Sequence, residues 1–304
     1  MNTTALGQPA AALPVIPAGA TVSYVVLSFN SAKYIEKCVR SLMAARADGS
    51  EDEVWVVDNG SIDDTPRILQ GLESEFRNLR VVRLPRNQGT TVSRNIALRQ
   101  ASGRFIAVVD SDVEVPAGAV DALLRTLEQN SSCGIVAPRL EFPDGRLQLS
   151  TDVFPTAQHK LRRFVMLRRM EQQLEPEVTS GPRPVDCAIS AFWLLPRHVL
   201  ADVGLLDERI FYSPEDIDYC VRVWLAGYTI LYDPRVRAVH DAQEISRTWV
   251  PRRAAFSHAA GLLYLFWKHR YFLGRGSLYR RIRAASGPGR RHGGSGIEGA
   301  ALGR

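Results

Sequence analysis

Four short, largely apolar runs in the first third of the chain constrain its fold more than any other feature. They are "VSYVVLSFN" from Val22, "EVWVVDNGS" from Glu53, "LRVVRLP" from Leu79 and "RFIAVVDSD" from Arg104. Runs of this length with little polar alternation belong to strands buried on both faces. Between them lie segments with apolar residues at helical spacing, such as "KYIEKCVRSLMAA", where Ile35, Cys38, Val39, Leu42 and Met43 share one face. "DTPRILQGLESEF" follows the second run, with Asp64 placed to cap its first turn, and "TVSRNIALRQA" follows the third. Strand–helix alternation of this kind predicts an α/β architecture, a Rossmann-like, mostly parallel open sheet flanked by helices. Ligands of such sheets sit outside the carboxyl ends of the strands. The polar residues collect at those ends: Asn30, the group Asp58-Asn59-Gly60-Ser61, Asn87, and Asp110-Ser111-Asp112.

The 304 residues, 45% hydrophobic and 23% charged, suit one large domain or two intimate ones. The formal net charge of +6 is concentrated at the end of the chain. Residues 274–304 hold Arg275, Arg280, Arg281, Arg283, Arg290, Arg291 and Arg304 against the single acid Glu298. The remainder is close to neutral, so no basic footprint for nucleic acid is evident. Cys38, Cys133, Cys187 and Cys220 lie far apart without a C-x-x-C pair, which favours reduced thiols and a cytoplasmic setting. Residues 1–20 lack the basic start of a signal peptide and are expected to be disordered. No apolar run is long enough to span a bilayer.

Beyond residue 116 the alternation loosens. "GAVDALLRTLEQN" predicts a helix, "CGIVAPRLEF" a strand, and residues 157–175 a basic helix striped by Leu161, Phe164, Val165 and Met170. A strand, a short helix, an acidic loop, a longer helix and a last strand ending at His240 follow. Helical segments are expected over 246–273 and a disordered basic tail over 274–304. No internal repeat is evident.

Taken singly, the polar motifs leave alternatives open. Asp110 and Asp112, spaced i, i+2 at a strand end, suit a divalent cation that grips a diphosphate, or an ordinary turn. Glu215, Asp216 and Asp218 precede an amphipathic helix, where acids favourably meet the positive helix end. A carboxylate there can also take a proton from an attacking hydroxyl. His240 is a strand-end imidazole, structural or metal-ligating. "NQGTTVSRN" places Gly89 in a turn and Arg94 on a helix, but lacks the phosphate-loop and dinucleotide fingerprints.

Their order is more specific than any one of them. "SFN", "VVDNGSIDDT", "NQGTTVSRN", "VVDSD", "EDIDYCVR" and a strand-end His240, in that sequence over residues 22–245, resemble the inverting family-two glycosyltransferases of GT-A fold. Within them the stretch "GLLDERIFYSPEDIDYCVRVWLAGYTILYDPRVRAVH" is most similar to bacterial rhamnosyltransferase-like members. The resemblance implies a GT-A catalytic domain over 21–245, with a nucleotide-binding half (21–125), an acceptor half (126–245) and a C-terminal helical extension. It implies that Asn30, Asp58 and Ser61 contact the base, that Asn87 and Arg94 lie by the nucleotide, and that Asp110 sits near ribose and metal. Asp112 and His240 would ligate Mn²⁺ or Mg²⁺, Asp216 would be the catalytic base, and Glu215 would orient the acceptor. Many rhamnosyltransferase-like relatives carry Asn where this chain has Asp110, which leaves the donor sugar open.

The implied activity moves a sugar from a nucleoside-diphosphate sugar to a hydroxyl acceptor, in cell-surface polysaccharide, glycolipid or glycosylated-metabolite synthesis. Two rivals share the fold: a sugar nucleotidyltransferase, whose Gly-rich basic first loop is not matched by "LSFNSAKYIEK", and a non-catalytic carbohydrate-binding or scaffold protein. The segment "RRAAFSHAAGLLYLFWKHRYFLGR" has an apolar centre flanked by cations. It is expected to dock on the domain, to pair two subunits in a homodimer, or to rest on the inner face of the cell membrane beside a lipid-linked acceptor.

Overall fold

The computed structural model describes residues 21–46, 52–156, 158–159, 181–242, 252–272 and 274–286. The expected disordered segment 1–20, nearly all of the expected basic helix over 157–175, and the end of the tail lie outside these residues. The first half is regular: β1(Val22–Ser28), α1(Ile35–Met43), β2(Glu53–Asp58), α2(Thr65–Glu75), β3(Leu79–Arg83), α3(Thr90–Gln100), β4(Phe105–Asp110) and the short β5(Val113–Glu114). There follow α4(Ala119–Gln129), β6(Cys133–Glu141), β7(Thr151–Asp152), β8(Arg183–Pro184), β9(Cys187–Ala188) and β10(Phe192–Pro196). The chain continues with α5(Arg197–Val203), α6(Glu215–Leu225), β11(Thr229–His240), α7(Arg252–His269) and α8(Gly276–Ala285).

Among the described residues, one nine-stranded sheet runs in the order β3-β2-β1-β4-β10-β6-β11-β5, with β8 also on β11. Strands β3, β2, β1 and β4 pair in parallel, whereas β10 is antiparallel to β4 and β6. Continuous burial of β2 and of the first five residues of β4 matches a sheet covered on both faces. One apolar layer sets α1, α2 and α4 against one face (Ile35, Val39, Leu69, Leu123). The other carries α3, α6, α7 and α8 (Leu98, Val221, Leu265, Leu278).

Two local expectations are corrected. Asp64 makes no side-chain cap at α2; Asp63 instead accepts from Thr65 N at 3.0 Å and from Ala32 N at 3.0 Å, tying the helix start to the end of β1. The basic tail is not wholly irregular either, since residues 276–285 form α8 with Leu278 and Ile282 buried. Leu278 and Ile282 are spaced i, i+4, and one apolar stripe suffices when a groove against α6 is there to receive it.

Candidate active site and metal centre

Strand register builds one working edge. Ser28 pairs with Asp58 and Leu27 with Asp110, so three strand ends finish level with one another. The loops leaving β1 and β2 lock together: Asn30 N donates to Ser61 Oγ at 2.9 Å, Ile62 N donates to Asn30 Oδ1 at 2.9 Å, and Ser61 N donates to Asp58 Oδ1 at 3.1 Å. Asn59 Oδ1 accepts from Gln88 N and Ser93 Oγ, both at 2.8 Å, and Asn87 Oδ1 accepts from Gly89 N at 2.8 Å. The Asn and Ser residues expected at the nucleotide therefore also hold the loops in shape. Gly89 has φ +86°, and a Cβ there would stand 2.4 Å from Phe211 O, so a side chain would push that backbone away.

Asp112 and His240 are 128 positions apart in sequence, yet β5 pairs antiparallel with the end of β11, opposing Val113 to His240. Asp241 N donates to Asp112 O at 3.0 Å and closes the join. One ligand atom from each of Asp110, Asp112 and His240 lies within 4.8 Å of the other two. His240 Nδ1 is 2.7 Å from Gln148 Oε1, an acceptor, so the ring hydrogen belongs on Nδ1. Nε2 faces Asp112 Oδ1 at 3.3 Å. Two carboxylates and one imidazole gathered within 4.8 Å are a donor set that suits a divalent cation. Two oxygens and one imidazole nitrogen fit Mn²⁺ well and Mg²⁺ less closely.

Arg94 carries this edge across to α6. It is 2% exposed. Its Nη2 donates to Asp110 Oδ1, its Nη1 to Ser190 Oγ at 2.8 Å, and Nη1 lies 3.4 Å from Glu215 Oε1. Burial, then the adjacent Asp216 charge, push the Glu215 carboxyl above the usual carboxylate range, while Arg94 pulls it back. Asp216 is half-buried in the first turn of α6, its Oδ1 accepting from Ile217 N at 2.7 Å. Arg94 thus links the Asp110, Asp112 and His240 cluster to the paired acids at the start of α6.

Sequence reasoning did not find Gln148 or Ser190. Gln148 lies in "RLQLS", where no local pattern marks it, and its role follows only from β11 returning to this edge. Asp218 was legible only as an acid at a helix start. It is fully buried and bonded to α7 instead, with His269 Nε2 at 2.8 Å and Lys268 Nζ at 2.7 Å from its Oδ1.

The architecture is that of the GT-A fold. The sequence pattern of glycosyl transferase family 2 matches residues 23–200, more than half of the chain, and the protein belongs to that family. It is 26% identical over 266 residues to the N-acetylglucosaminyl-diphospho-decaprenol L-rhamnosyltransferase of Mycobacterium tuberculosis, covering 81% of this chain and 84% of that one. It is 28% identical over 251 residues to the pre-mycofactocin glycosyltransferase of the same species, covering 82% of this chain. The chain spans about half of that relative, 49% of its length. Among solved structures, S. aureus TarS 1–349 in complex with UDP-GlcNAc superposes with TM-score 0.59 at 19% identity, covering 87% of this chain and 71% of that one. The mannosyltransferase PcManGT from Pyrobaculum calidifontis, in complex with GDP-Man and Mn²⁺, gives TM-score 0.56 at 20% identity, covering 90% and 72%. These likenesses agree in the fold.

Proposed function

We propose that the protein is a metal-dependent, inverting glycosyltransferase that moves a sugar from a nucleoside-diphosphate sugar to a hydroxyl acceptor. The observation that carries this reading is the Asp110, Asp112 and His240 donor set, joined through Arg94 to the Glu215–Asp216 pair. Asp112 and His240, with Asp110, would hold Mn²⁺ or Mg²⁺. When bound, the cation neutralises charge on the departing diphosphate.

The chain's own residues account for the rest. The locked loops around Asn30, Asp58, Ser61 and Asn87 form the nucleotide side. Half-exposed Phe29 and exposed Ile62 offer apolar contact to a base there. Arg94, placed by the nucleotide, fixes Asp110 and Glu215 through its guanidinium. Asp216 accepts the proton of the acceptor hydroxyl as its oxygen bonds to the anomeric carbon. The bond from that carbon to the diphosphate oxygen breaks, with its electrons leaving on the nucleoside diphosphate. Glu215 orients the hydroxyl. One displacement inverts the anomeric configuration.

The rhamnosyltransferase relative acts, by its name, on a decaprenol-linked sugar, which supports a lipid-linked acceptor and a role in cell-surface glycan synthesis. Incubation with a panel of nucleotide sugars and Mn²⁺ tests the reading. Metal-dependent donor cleavage, and a transferred sugar of inverted configuration by NMR, are expected. Pyrophosphate release with formation of a new sugar nucleotide would instead make it a nucleotidyltransferase, and no turnover of any donor would support the non-catalytic alternative.

A further inference from the structure

Among the described residues, one face of the C-terminal helices carries large exposed apolar side chains. On α7, Leu265, Phe266 and His269 are buried against the domain, as is Tyr271 just beyond it. The opposite face shows Leu263 at 60% and Trp267 at 74% exposure, spaced i, i+4, followed by Phe272 at 48%. These side chains line an open groove of about 800 Å³ with Tyr264, Arg209 and Arg270. A helix whose only task was to dock would carry polar residues on that face.

Charge says what covers it. Residues 252–286 contain eight Lys and Arg and no Asp or Glu. Their +8 exceeds the +6 of the whole chain, so everything else taken together is net acidic. Lys268 and Arg209 are answered locally by Asp207, at 2.7 and 3.1 Å. Arg270, Arg280 and Arg283 are exposed. Arg281 donates to His269 O at 2.7 Å, which sets the basic turn of α8 beside the end of α7. Two copies meeting through this region would bring two net-cationic helical segments together. An anionic partner suits it better.

We infer that the Leu263, Trp267 and Phe272 face of α7, with the exposed arginines beside it, seats on an anionic lipid bilayer surface. Indole and phenyl rings among cations match the headgroup boundary, where apolar area is buried and each cation gains from anionic lipid. No helix among the described residues is long and apolar enough to cross a membrane, so α7 lies on the surface. On another side α7 touches the catalytic loop: a Cβ on Gly261 would stand 2.2 Å from Ser213 O, two residues before Glu215. A bilayer-seated α7 therefore holds the acceptor side of the cleft at the membrane. That consequence rests on the glycosyl-transfer reading, whereas the surface contact does not.

Co-sedimentation of the full chain with phosphatidylcholine vesicles, with and without phosphatidylglycerol, tests the inference. Binding is expected only with phosphatidylglycerol and is weakened by salt. Leu263→Ser with Trp267→Ser should lower it by about tenfold or more, and Arg270→Gln with Arg280→Gln and Arg283→Gln by a comparable factor. Thermal melts and donor cleavage of both variants should stay at wild-type values. Equal binding to neutral vesicles, no binding at all, or unchanged binding by the variants overturns it. So does a concentration-dependent dimer that the Ser variant disperses. Loss of vesicle binding with cleavage intact bears on this surface alone; absence of cleavage with binding intact bears on the reaction alone.

Discussion

Glu215 and Asp218 stand one turn apart on α6, both buried, in opposite surroundings. Glu215 faces Asp216 and shares a single Arg94 with Asp110, so its charge is poorly compensated and its carboxyl is pushed up. Burial would push Asp218 up too, but His269, Arg222 and Lys268 overcome it and hold the carboxyl below the usual range. Arg222 Nε reaches Asp218 Oδ2 at 2.9 Å, so both carboxylate oxygens are satisfied. The difference separates a carboxyl with poorly compensated charge, the proposed acceptor-orienting group, from one used as an anchor. A helix start rich in acid does not distinguish the two; their partners do.

The comparison breaks most visibly at the cleft side. Asp216→Asn removes the proposed base and should lower transfer by roughly 10²–10⁴-fold, with nucleoside diphosphate affinity unchanged in titration calorimetry. Full transfer by this variant would remove Asp216 from the mechanism. On the anchor side, Asp218→Asn leaves His269, Lys268 and Arg222 facing a neutral amide. A loss of about 3–5 kcal/mol in denaturant unfolding is expected.

The pH response follows from the same contrast. Asp218 is depressed, so its stabilisation is present above the unfolded carboxylate pKa and is lost as pH falls through the folded value. Protection factors of α7 amides, taken relative to intrinsic exchange at each pH, should therefore fall in acid, and Asp218→Asn should flatten that dependence.

Gln148→Leu removes the acceptor facing His240 Nδ1 and should weaken Mn²⁺ binding by about 10–100-fold, measured by calorimetry. The smallest effect sharpens the contrast. Glu215 is raised, so keeping it ionised costs stability as pH rises above the ordinary carboxylate range. Glu215→Gln should then stabilise the fold at pH 8 by about 1 kcal/mol while slowing transfer. A destabilised Glu215→Gln protein would place Glu215 with the anchors.

Much of this molecule was legible in the chain. The strands announced themselves because burial on both faces forbids polar alternation, and Asp110, Asp112 and Glu215–Asp216 stood where strands or helices began or ended. His240 was legible as a strand end, but its approach to Asp112 depends on a two-residue strand, β5, that no pattern reveals. Gln148 and Ser190 act across 92 and 96 positions, distances over which sequence carries no geometry. The fold of the tail was hidden by composition: Gly and Arg masked Leu278, Tyr279 and Ile282, whose spacing marks one buried stripe of α8.

Asp110, Asp112 and His240, from distant parts of the chain, are proposed to hold one cation for a diphosphate. Calorimetric titration of nucleoside diphosphates into wild-type and His240→Ala protein, with and without Mn²⁺, tests it most directly. Binding that requires Mn²⁺ in the wild type and is lost in the variant is the predicted result. Binding indifferent to both the metal and His240 would contradict it.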